Sequence, residues 1–439
     1  MKILLYMTLI VTWCLGAAVS AKVYTLPECI ELAKQTDRKL IESRNAMHTA
    51  GSDLWERAGQ FLPSVSVSGS YGRTGNGPTS AQYRELGGGI VDTSPPQRAN
   101  TVRSYSTGIG LDYTLFDGLR NVWGYLGTKA SKHATEYSNR IIVSNLVFGV
   151  KEKYYSALKA KRDYEVAQEA VKRSAELLKL FEEKYSLGSA SLSEVLKQRV
   201  QSGNDQLTLV QTDNQYRVNL DDLALTIGVE PSDDFEVAQI ELRKEEVKEL
   251  PDLIREVITD HPSLLGADEA LASSKYGVRL QYGEYLPTLS LSYRYGWGKN
   301  TFSEISKFGP YDHSGRLDVT LGYNIFDGFS RENRLSQARA KLSNSKASRV
   351  YVYNQLIQSI RAAYLGIKLA DETLKLTEDK ERAAKEDMDL VQAKYGLGAA
   401  ALWELLDAQV SLKTAQFDKI NAEFKYSLAL AQLQNALGQ

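Results

Sequence analysis

The sequence predicts a mixed α+β chain built from two copies of one unit: helix, strand, strand, long helix, turn, long helix. Three observations carry this prediction. Proline is absent from two long stretches, residues 97–230 and 311–439. Apolar and polar residues alternate strictly in four shorter stretches. The same short motifs occur in the same order in both halves of the chain, which indicates an internal duplication.

The first 21 residues have the pattern of a secretory signal peptide. Lys2 precedes an apolar core from Ile3 to Leu15, and Val19-Ser20-Ala21 forms a small-residue cleavage site. The apolar core is too short to span a membrane. Residues 22–439 contain no apolar run long enough for a transmembrane helix. They contain one cysteine, Cys29, so no intrachain disulfide is expected.

Charge and motif content argue against nucleic-acid binding and against an enzyme. The chain has 53 basic and 54 acidic residues and a formal net charge of -1, so no general field favours nucleic acid. The glycine-rich run from Gly69 to Gly77 lacks the Gly-Lys-Ser/Thr of a phosphate loop. The histidines have no spacing suited to a metal or a catalytic triad. They are His48, His133, His261 and His313. We therefore predict no catalytic residue, cofactor or metal site.

The first repeat is predicted over residues 22–228. A helix begins at Leu26-Pro27 and continues to about Gln60, followed by a β-hairpin over about 62–116. Each strand alternates between an apolar and a polar side. The apolar residues are Val65, Val67 and Tyr71, then Thr107, Ile109, Leu111, Tyr113 and Leu115; the polar side carries Ser64, Ser66, Ser68 and Ser70, then Gly108, Gly110, Asp112 and Thr114. Residues 74–100 between the strands are rich in Gly and Pro and are predicted as a loop.

A long helical hairpin is predicted over about 117–227, with Asp117 at its N-cap and a turn at Leu187-Gly188-Ser189. Apolar or tyrosyl residues recur in steps of four and three along its first arm, as in a coiled-coil seam. They are Val143, Val147, Val150, Tyr154, Ala157, Tyr164, Val171, Ala175, Leu178 and Tyr185, with Lys161, Gln168 and Glu182 as polar members. This arm would be roughly 100 Å long.

The second repeat is predicted over residues 250–439, after a charged linker at 229–249. It contains a helix from Leu250-Pro251, a β-hairpin over about 286–326 and a long helical hairpin over about 327–437. Its second strand is predicted to alternate Leu317, Val319, Leu321, Tyr323 and Ile325 with Asp318, Thr320, Gly322 and Asn324.

The composition of the strand faces favours a membrane β-barrel over a globular sandwich. Val, Leu, Ile and Tyr suit lipid, and Ser, Thr, Gly and Asp suit a water-filled lumen. Aromatic residues near the strand ends fit an interfacial belt, namely Tyr71, Tyr105, Tyr295 and Trp297. Four strands cannot close a membrane barrel, whereas three chains would supply twelve.

These features resemble the TolC-like outer-membrane efflux proteins of Gram-negative bacteria, the outer membrane factors, over essentially the whole mature chain. The resemblance rests on the duplicated element order, on Phe116-Asp117-Gly118 and Phe326-Asp327-Gly328, and on the turns Tyr185–Gly188 and Tyr395–Gly398. It implies a homotrimer with a 12-stranded barrel in outer-membrane lipid and a helical coiled-coil barrel in the periplasm. The expected role is the exit duct of a tripartite pump, with a periplasmic adaptor and an inner-membrane transporter as partners.

The resemblance also assigns roles to the two helical turns. Both turns would form the tip that receives the adaptor, through Leu187, Gly188, Ser189, Leu397, Gly398 and Ala399. The two glycines are also ordinary helix C-caps, which require a left-handed backbone.

The same resemblance places the pore constriction beside the turns. Glu404 and Asp407 match an acidic ring, although most such carboxylates simply face solvent. Glu194 and Tyr395 match two members of a link that holds the family's closed state, but Ala400 occupies the position of its arginine. This departure leaves open whether the resting pore is closed.

Two other functions fit parts of the sequence. The chain could be the outer-membrane component of a type I protein secretion system, which uses the same architecture. A structural periplasmic coiled-coil rod would explain the helices but not the four strands. The exported substrate, the adaptor and the transporter class are not encoded in any recognisable motif.

Overall fold

The structure, a computed structural model, describes residues 22–86, 90–94, 96–232, 235–240, 244–305 and 313–438, so the predicted signal peptide lies outside the described residues. The helices are α1 (Leu26–Thr36), α2 (Arg38–Gly59), α3 (Arg120–Ser186), α4 (Leu192–Ile227), α5 (Leu250–Val257), α6 (Pro262–Gly283), α7 (Phe302–Ile305), α8 (Ser330–Gly396) and α9 (Leu402–Ala436). The strands are β1 (Lys22–Tyr24), β2 (Ser64–Asn76), β3 (Gln82–Leu86), β4 (Ile90–Ser94), β5 (Asn100–Phe116), β6 (Phe235–Val237), β7 (Thr288–Lys299) and β8 (His313–Gly322).

Two compact units divide the chain, and each takes segments from both halves of the sequence. The helical unit comprises the described parts of residues 1–47, 134–267 and 349–439. The sheet unit comprises the described parts of residues 48–133 and 268–348. Within the described ranges, no helix has the length and apolar character needed to cross a membrane.

One apolar core of the helical unit surrounds Tyr154 of α3. Its side chain is fully buried, and its hydroxyl donates to the carbonyl oxygen of Ala238 at 2.7 Å and lies 3.2 Å from that of Tyr24. These carbonyls belong to β1 and to the residue after β6, which pair in parallel. One tyrosine therefore joins a long helix to a two-stranded ribbon. The ribbon lies partly in the predicted linker, where the sequence indicated no strand.

The predicted coiled-coil seam of α3 is right as far as Ala157 and wrong beyond it. Val150, Tyr154 and Ala157 are buried, but the next buried positions come one residue earlier than predicted. They are Ala160, Ala167, Ala170 and Ser174. Lys161 keeps a partly exposed side chain near Glu236 instead of entering the seam. Small residues let neighbouring helices approach closely, whereas the prediction assigned the seam to larger side chains.

The opening helix was predicted as continuous, but the structure divides it into α1 and α2. Asp37 has an extended backbone, and its carboxylate accepts a hydrogen bond from the Leu40 N–H at 2.7 Å, as in an N-cap. In the second half a similar break separates α5 and α6. There Pro262 begins α6, and His261 accepts a hydrogen bond from the Ser263 N–H at 3.2 Å.

The sheet unit contains an antiparallel sheet of the four predicted strands in the order β2-β5-β7-β8. Its register aligns the residues predicted as apolar with one another and the polar residues with polar ones. Val67 lies opposite Ile109, Ile109 opposite Tyr295, and Leu291 opposite Val319. We call these two surfaces the apolar face and the polar face. The apolar face is exposed; Val67 is 80% and Leu321 70% accessible.

Three details of the strands differ from the prediction. A register shift between Thr114 and Phe116 puts Phe116, rather than Leu115, opposite Leu289. Strand β8 ends at Gly322, so Tyr323 and Ile325 lie beyond it. The predicted loop at 74–100 contains a short hairpin of β3 and β4.

The exits from the sheet into the long helices share one backbone geometry. Gly118 and Leu119 both have positive φ angles, of 73° and 65°, and Gly328 and Phe329 repeat this with 69° and 66°. The Asp117 carboxylate accepts a hydrogen bond from the Asn121 N–H at 2.8 Å, which is one residue further along the chain than a usual N-cap contact. The Phe-Asp-Gly motif thus marks a tight turn whose next residue is strained.

Replacing Tyr154 by Phe should lower the free energy of unfolding by about 1–3 kcal/mol, because a buried carbonyl then loses its donor. Burial raises the pKa of Tyr154 from 10 to about 12. The contribution of the neutral hydroxyl is therefore complete below pH 10 and is lost as pH rises toward 12. Urea unfolding followed by helical circular dichroism at pH 7 measures the loss. Tyr185→Phe, at an exposed position, is the control, and equal stability of both variants would contradict the assignment.

Candidate pore constriction and docking tip

The turn between α3 and α4 is a Schellman motif centred on Gly188. The Gly188 N–H donates to the Tyr185 carbonyl at 3.0 Å, and the Ser189 N–H donates to the Lys184 carbonyl at 2.9 Å. Gly188 has a φ of 72°, in the left-handed region. A residue with a β-carbon is less stable in this backbone conformation than glycine. A β-carbon on Gly188 would meet no atom within 4 Å. Glycine is therefore favoured here by the backbone alone.

The turn between α8 and α9 repeats this geometry. The Gly398 N–H donates to the Tyr395 carbonyl at 3.1 Å, and the Ala399 N–H donates to the Lys394 carbonyl at 2.8 Å. Gly398 has a φ of 74° and the same open surroundings. The predicted C-cap role of both glycines is confirmed. Leu187 and Leu397, one residue before each glycine, are 82% and 86% exposed.

Glu194, a predicted constriction residue, has a structural role at the start of α4. It forms a capping box with Ser191: the Ser191 N–H and hydroxyl donate to the carboxylate at 2.7 and 3.0 Å, and the Glu194 N–H donates to the Ser191 hydroxyl at 3.3 Å. Two of these hydrogen bonds hold the carboxylate against the helix terminus.

Glu404 stands at the matching position of α9 but is held less firmly. The N-cap residue there is Ala401, which has no hydroxyl. One contact remains, from the Ala401 N–H to the Glu404 carboxylate at 3.5 Å, which is long for a hydrogen bond. The recurrence of glutamate in both turns thus has a capping explanation, and Glu404 keeps more freedom than Glu194.

Tyr395 connects the ends of two long helices. Its ring lies 5.5 Å from the ring of Phe181, and the ammonium of Lys184 lies 5.1 Å from its centroid. Burial raises the pKa of Tyr395, and the nearby carboxylate of Glu194 raises it further. The phenol is therefore neutral at physiological pH. The carboxylate of Glu194 is thus near enough to act electrostatically on the Tyr395 phenol.

Asp407 and Ala400 have simpler surroundings. Asp407 is exposed, and no hydrogen bond or ion pair joins it to another described side chain. Ala400 packs at the margin of an apolar cluster formed by the ends of the four long helices. The cluster consists of Phe181, Val195, Met388, Val391, Leu402, Leu405, Ala408 and Leu412.

Sequence reasoning missed Phe181 and Lys184 as partners of Tyr395. Both precede the first turn by a few residues, and Glu183-Lys184-Tyr185 corresponds to Ala393-Lys394-Tyr395 in the second copy. The shared Lys-Tyr pair was a signal that these positions face each other. No group of three or more potential metal-binding side chains occurs among the described residues.

The polar face of the sheet carries charged residues. Arg294 lies directly opposite Gly110, and its guanidinium reaches Asp112 at 3.2 Å. A β-carbon at Gly110 would approach that guanidinium within 2.8 Å, so the absent side chain leaves room for the arginine. The polar face therefore combines serines, glycines and an ion pair, which suits contact with water.

A sheet with one exposed apolar face and two long helical hairpins is typical of outer-membrane export channels. The chain belongs to the outer membrane efflux protein family, which it matches over residues 29–229 and 253–439. The matched residues include all four strands of the sheet and all four long helices. A rod-like function would leave the strand regions unexplained.

Individual relatives agree with this assignment. The pyoverdine export outer membrane protein OpmQ of Pseudomonas aeruginosa is 26% identical over 372 residues, covering 80% of this chain and 72% of that protein. The outer membrane protein TolC of Vibrio cholerae is 20% identical over 433 residues, covering 97% and 92%. The crystal structure of the Campylobacter jejuni CmeC outer membrane channel has the same fold, with a TM-score of 0.80, 17% identity, and coverage of 94% and 85%.

Membership settles the general function and location. The family consists of channels rather than enzymes. The chain is an efflux duct of a tripartite export system in the outer membrane of a Gram-negative bacterium, with a large helical portion in the periplasm.

Valine at Gly188 or Gly398 should cost about 1–2 kcal/mol of unfolding free energy per site, because a β-branched residue fits the left-handed turn poorly. The open surroundings mean that the cost comes from the backbone and not from a collision. Gly203 within α4 is the control: it also has open surroundings, and its change to Ala should be neutral or stabilising. Thermal unfolding measures all three, and equal effects would show that the turn geometry is irrelevant.

Proposed function

We propose that three chains assemble into a homotrimer whose sheets close a 12-stranded barrel in the outer membrane. One observation carries this proposal: the four-stranded sheet has an exposed apolar face and two unpartnered edges among the described strands, β2 and β8. Unpaired backbone groups are costly in lipid, so a membrane sheet must close on itself. Four strands are too few for closure, and three copies make a barrel of ordinary size.

Cross-linking between the two edges tests the assembly. Within one chain, β2 and β8 are separated by three strand spacings, roughly 14 Å, whereas neighbouring edges in a closed barrel lie about 5 Å apart. We replace Ser66 and Thr320 by cysteine and add a cross-linking reagent that spans about two strand spacings. The reagent should then link the cysteines of neighbouring chains but not the two cysteines of one chain. We expect a ladder that ends at trimer. Cys29 is fully buried with its pKa raised to about 11, so it stays unreacted. Intrachain product without dimer or trimer would refute the closure.

The two faces of β8 give a second prediction. Leu321 lies on the apolar face and the neighbouring Thr320 on the polar face. In the proposed barrel, Leu321→Arg should cost about 2–4 kcal/mol near the bilayer midplane, and Thr320→Arg should be nearly silent. The measurement is the yield of heat-modifiable trimer after insertion into phosphatidylcholine vesicles. Equal yields from both variants would show that the faces are misassigned.

The helical turns are proposed as the docking tip for a helical hairpin of the periplasmic adaptor. The exposed Leu187 and Leu397 project beside small residues, Ser189 and Ala399, and Trp403 nearby is 67% exposed. Such apolar groups beside shallow grooves suit helix-to-helix packing. A Gly398→Val channel that still inserts should lose export. Unchanged export would remove these turns from the docking surface.

Glu404 and Asp407 are proposed to line the periplasmic constriction, with Glu194 and Tyr395 positioned beside it. Threefold symmetry would place three copies of each acid around the axis, which attracts cations. The weak capping contact of Glu404 and the exposure of Asp407 leave both carboxylates available. Because Ala400 replaces an arginine, no ion pair of that type locks the turn, and we propose a leakier resting pore than in a locked relative.

Charge removal without loss of capping tests the constriction. Glu404→Gln keeps an acceptor for the Ala401 N–H, and Asp407→Asn keeps the side-chain shape. The double variant should lose cation selectivity and block by trivalent cations in planar bilayers, while the amount of trimer stays unchanged. Asp389→Asn with Glu386→Gln on α8 is a control of equal charge. Selectivity that survives in the double variant would assign both acids to a solvated surface.

A further inference from the structure

A pair of arginines breaks the apolar face of the sheet at one end. Arg73 of β2 and Arg103 of β5 lie directly opposite each other, two residues beyond the opposed pair Tyr71 and Tyr105. The strand alternation places both arginines on the apolar face. Lys299 of β7 lies opposite Tyr105 and therefore on the same face. This basic cluster of Arg73, Arg103 and Lys299 stands at the end of the sheet opposite to the helix connections.

Two like charges in this position are unfavourable unless an anion joins them. Opposed side chains begin about 5 Å apart, and like charges directly across a strand pair destabilise a sheet. The sheet contains a second opposed pair, Arg294 and Arg316, on its polar face. There the chain supplies its own anion, because Asp112 lies 3.2 Å from Arg294. No described side chain forms an ion pair with Arg73 or Arg103, and both arginines are exposed.

The position of the cluster along the strands matches a membrane surface. Arg73 is eight residues from Val65 at the other end of the apolar side of β2, which corresponds to roughly 26 Å along the strand and to about 20 Å after the usual tilt. That height is close to the apolar band of an outer-membrane barrel. The rings of Tyr71 and Tyr105, 4.9 Å apart, occupy the level of an aromatic girdle. This step rests on the proposed barrel, in which the helices lie in the periplasm and this end faces the outer leaflet.

The chemistry of the cluster selects a particular anion. An arginine fork binds phosphate oxygens in a bidentate manner. The two opposed arginines alone provide two positive charges, which exceeds the single charge of a phosphodiester. A phosphate monoester carries about 1.5 to 2 negative charges at neutral pH and offers three acceptor oxygens. We propose that the basic cluster binds the phosphate monoester of a phosphorylated glycolipid in the outer leaflet, with Tyr71 and Tyr105 against its sugar and upper acyl chains.

Lipid retention by the full-length mature chain in detergent tests this site. The probes are lipid A with two phosphates, lipid A with one phosphate, and phosphatidylglycerol, each titrated into dodecyl maltoside micelles and measured by native mass spectrometry. We expect affinity to decrease in that order and to weaken with added salt, since the contact is exposed. Arg73→Gln with Arg103→Gln should lower the affinity for diphosphorylated lipid A about tenfold. Arg294→Gln with Arg316→Gln removes the same charge from the polar face and should leave it unchanged.

Three results would overturn the assignment. They are wild-type affinity in the Arg73/Arg103 variant, an equal loss in the Arg294/Arg316 variant, and phosphatidylglycerol binding as strong as lipid A. Insertion into phosphatidylcholine vesicles separates this inference from the barrel itself. Failure of the wild-type chain to insert refutes the proposed barrel. Normal insertion of the Arg73/Arg103 variant with unchanged lipid A affinity refutes only the glycolipid site.

Discussion

The open edges of the four-stranded sheet constrain every other part of this molecule. Backbone N–H and C=O groups along β2 and β8 need partners, and in hydrocarbon each unpaired group costs several kcal/mol. The apolar face creates the opposite demand, because residues such as Val67 and Leu321 are unfavourable in water. Contact with lipid is favourable for the apolar side chains of the face and unfavourable for the unpaired backbone groups of the edges. Pairing the edges with further copies would satisfy both demands, which is the physical basis of the proposed barrel.

The helical unit solves a different problem, since long helices need alignment as well as burial. Its apolar residues form separate clusters around Tyr154, Tyr364 and Phe181 rather than one continuous core. Between clusters, polar contacts set the alignment. Lys413 of α9 forms a mostly buried ion pair with Asp205 of α4 at 2.7 Å. A buried pair adds little net stability but is satisfied in a single alignment of the two helices.

Prediction from the sequence succeeded where the pattern alone decides the geometry. Strict alternation of apolar and polar residues predicted the two faces of the strands. Gly188 and Gly398 predicted the helical turns, because few residues other than glycine adopt a left-handed backbone. It failed where tertiary contacts decide. Nothing local shows that Asp37 interrupts a helix. Nor does it show that Ala160, Ala167 and Ala170 are buried in place of the predicted seam residues that follow each of them. The ribbon of β1 and β6 pairs residues far apart in sequence, and three-residue strands carry no periodicity.

The candidate site was predictable in its location but not in its local chemistry. A glutamate at the third position of a helix is explained by capping alone, so its recurrence in both copies did not by itself identify a pore. The structure separates the two roles through the N-cap residue. Ser191 adds a hydroxyl that holds the Glu194 carboxylate, whereas Ala401 leaves Glu404 with one long contact. The difference between Ser191 and Ala401 thus leaves the Glu404 carboxylate with fewer hydrogen bonds than the Glu194 carboxylate.

Near the two turns, the side chain of Tyr395 makes the contact that joins the ends of two long helices. Tyr395 packs on Phe181 and lies under Lys184, while its hydroxyl is kept neutral by burial and by Glu194. A tilted ring contact of this kind depends on apolar area and ring geometry, and salt screens it less than a solvent-exposed ion pair. With Ala400 in place of an arginine, the proposed closed state would depend on this ring contact. Its strength would then change little with ionic strength, unlike a gate held by exposed charges.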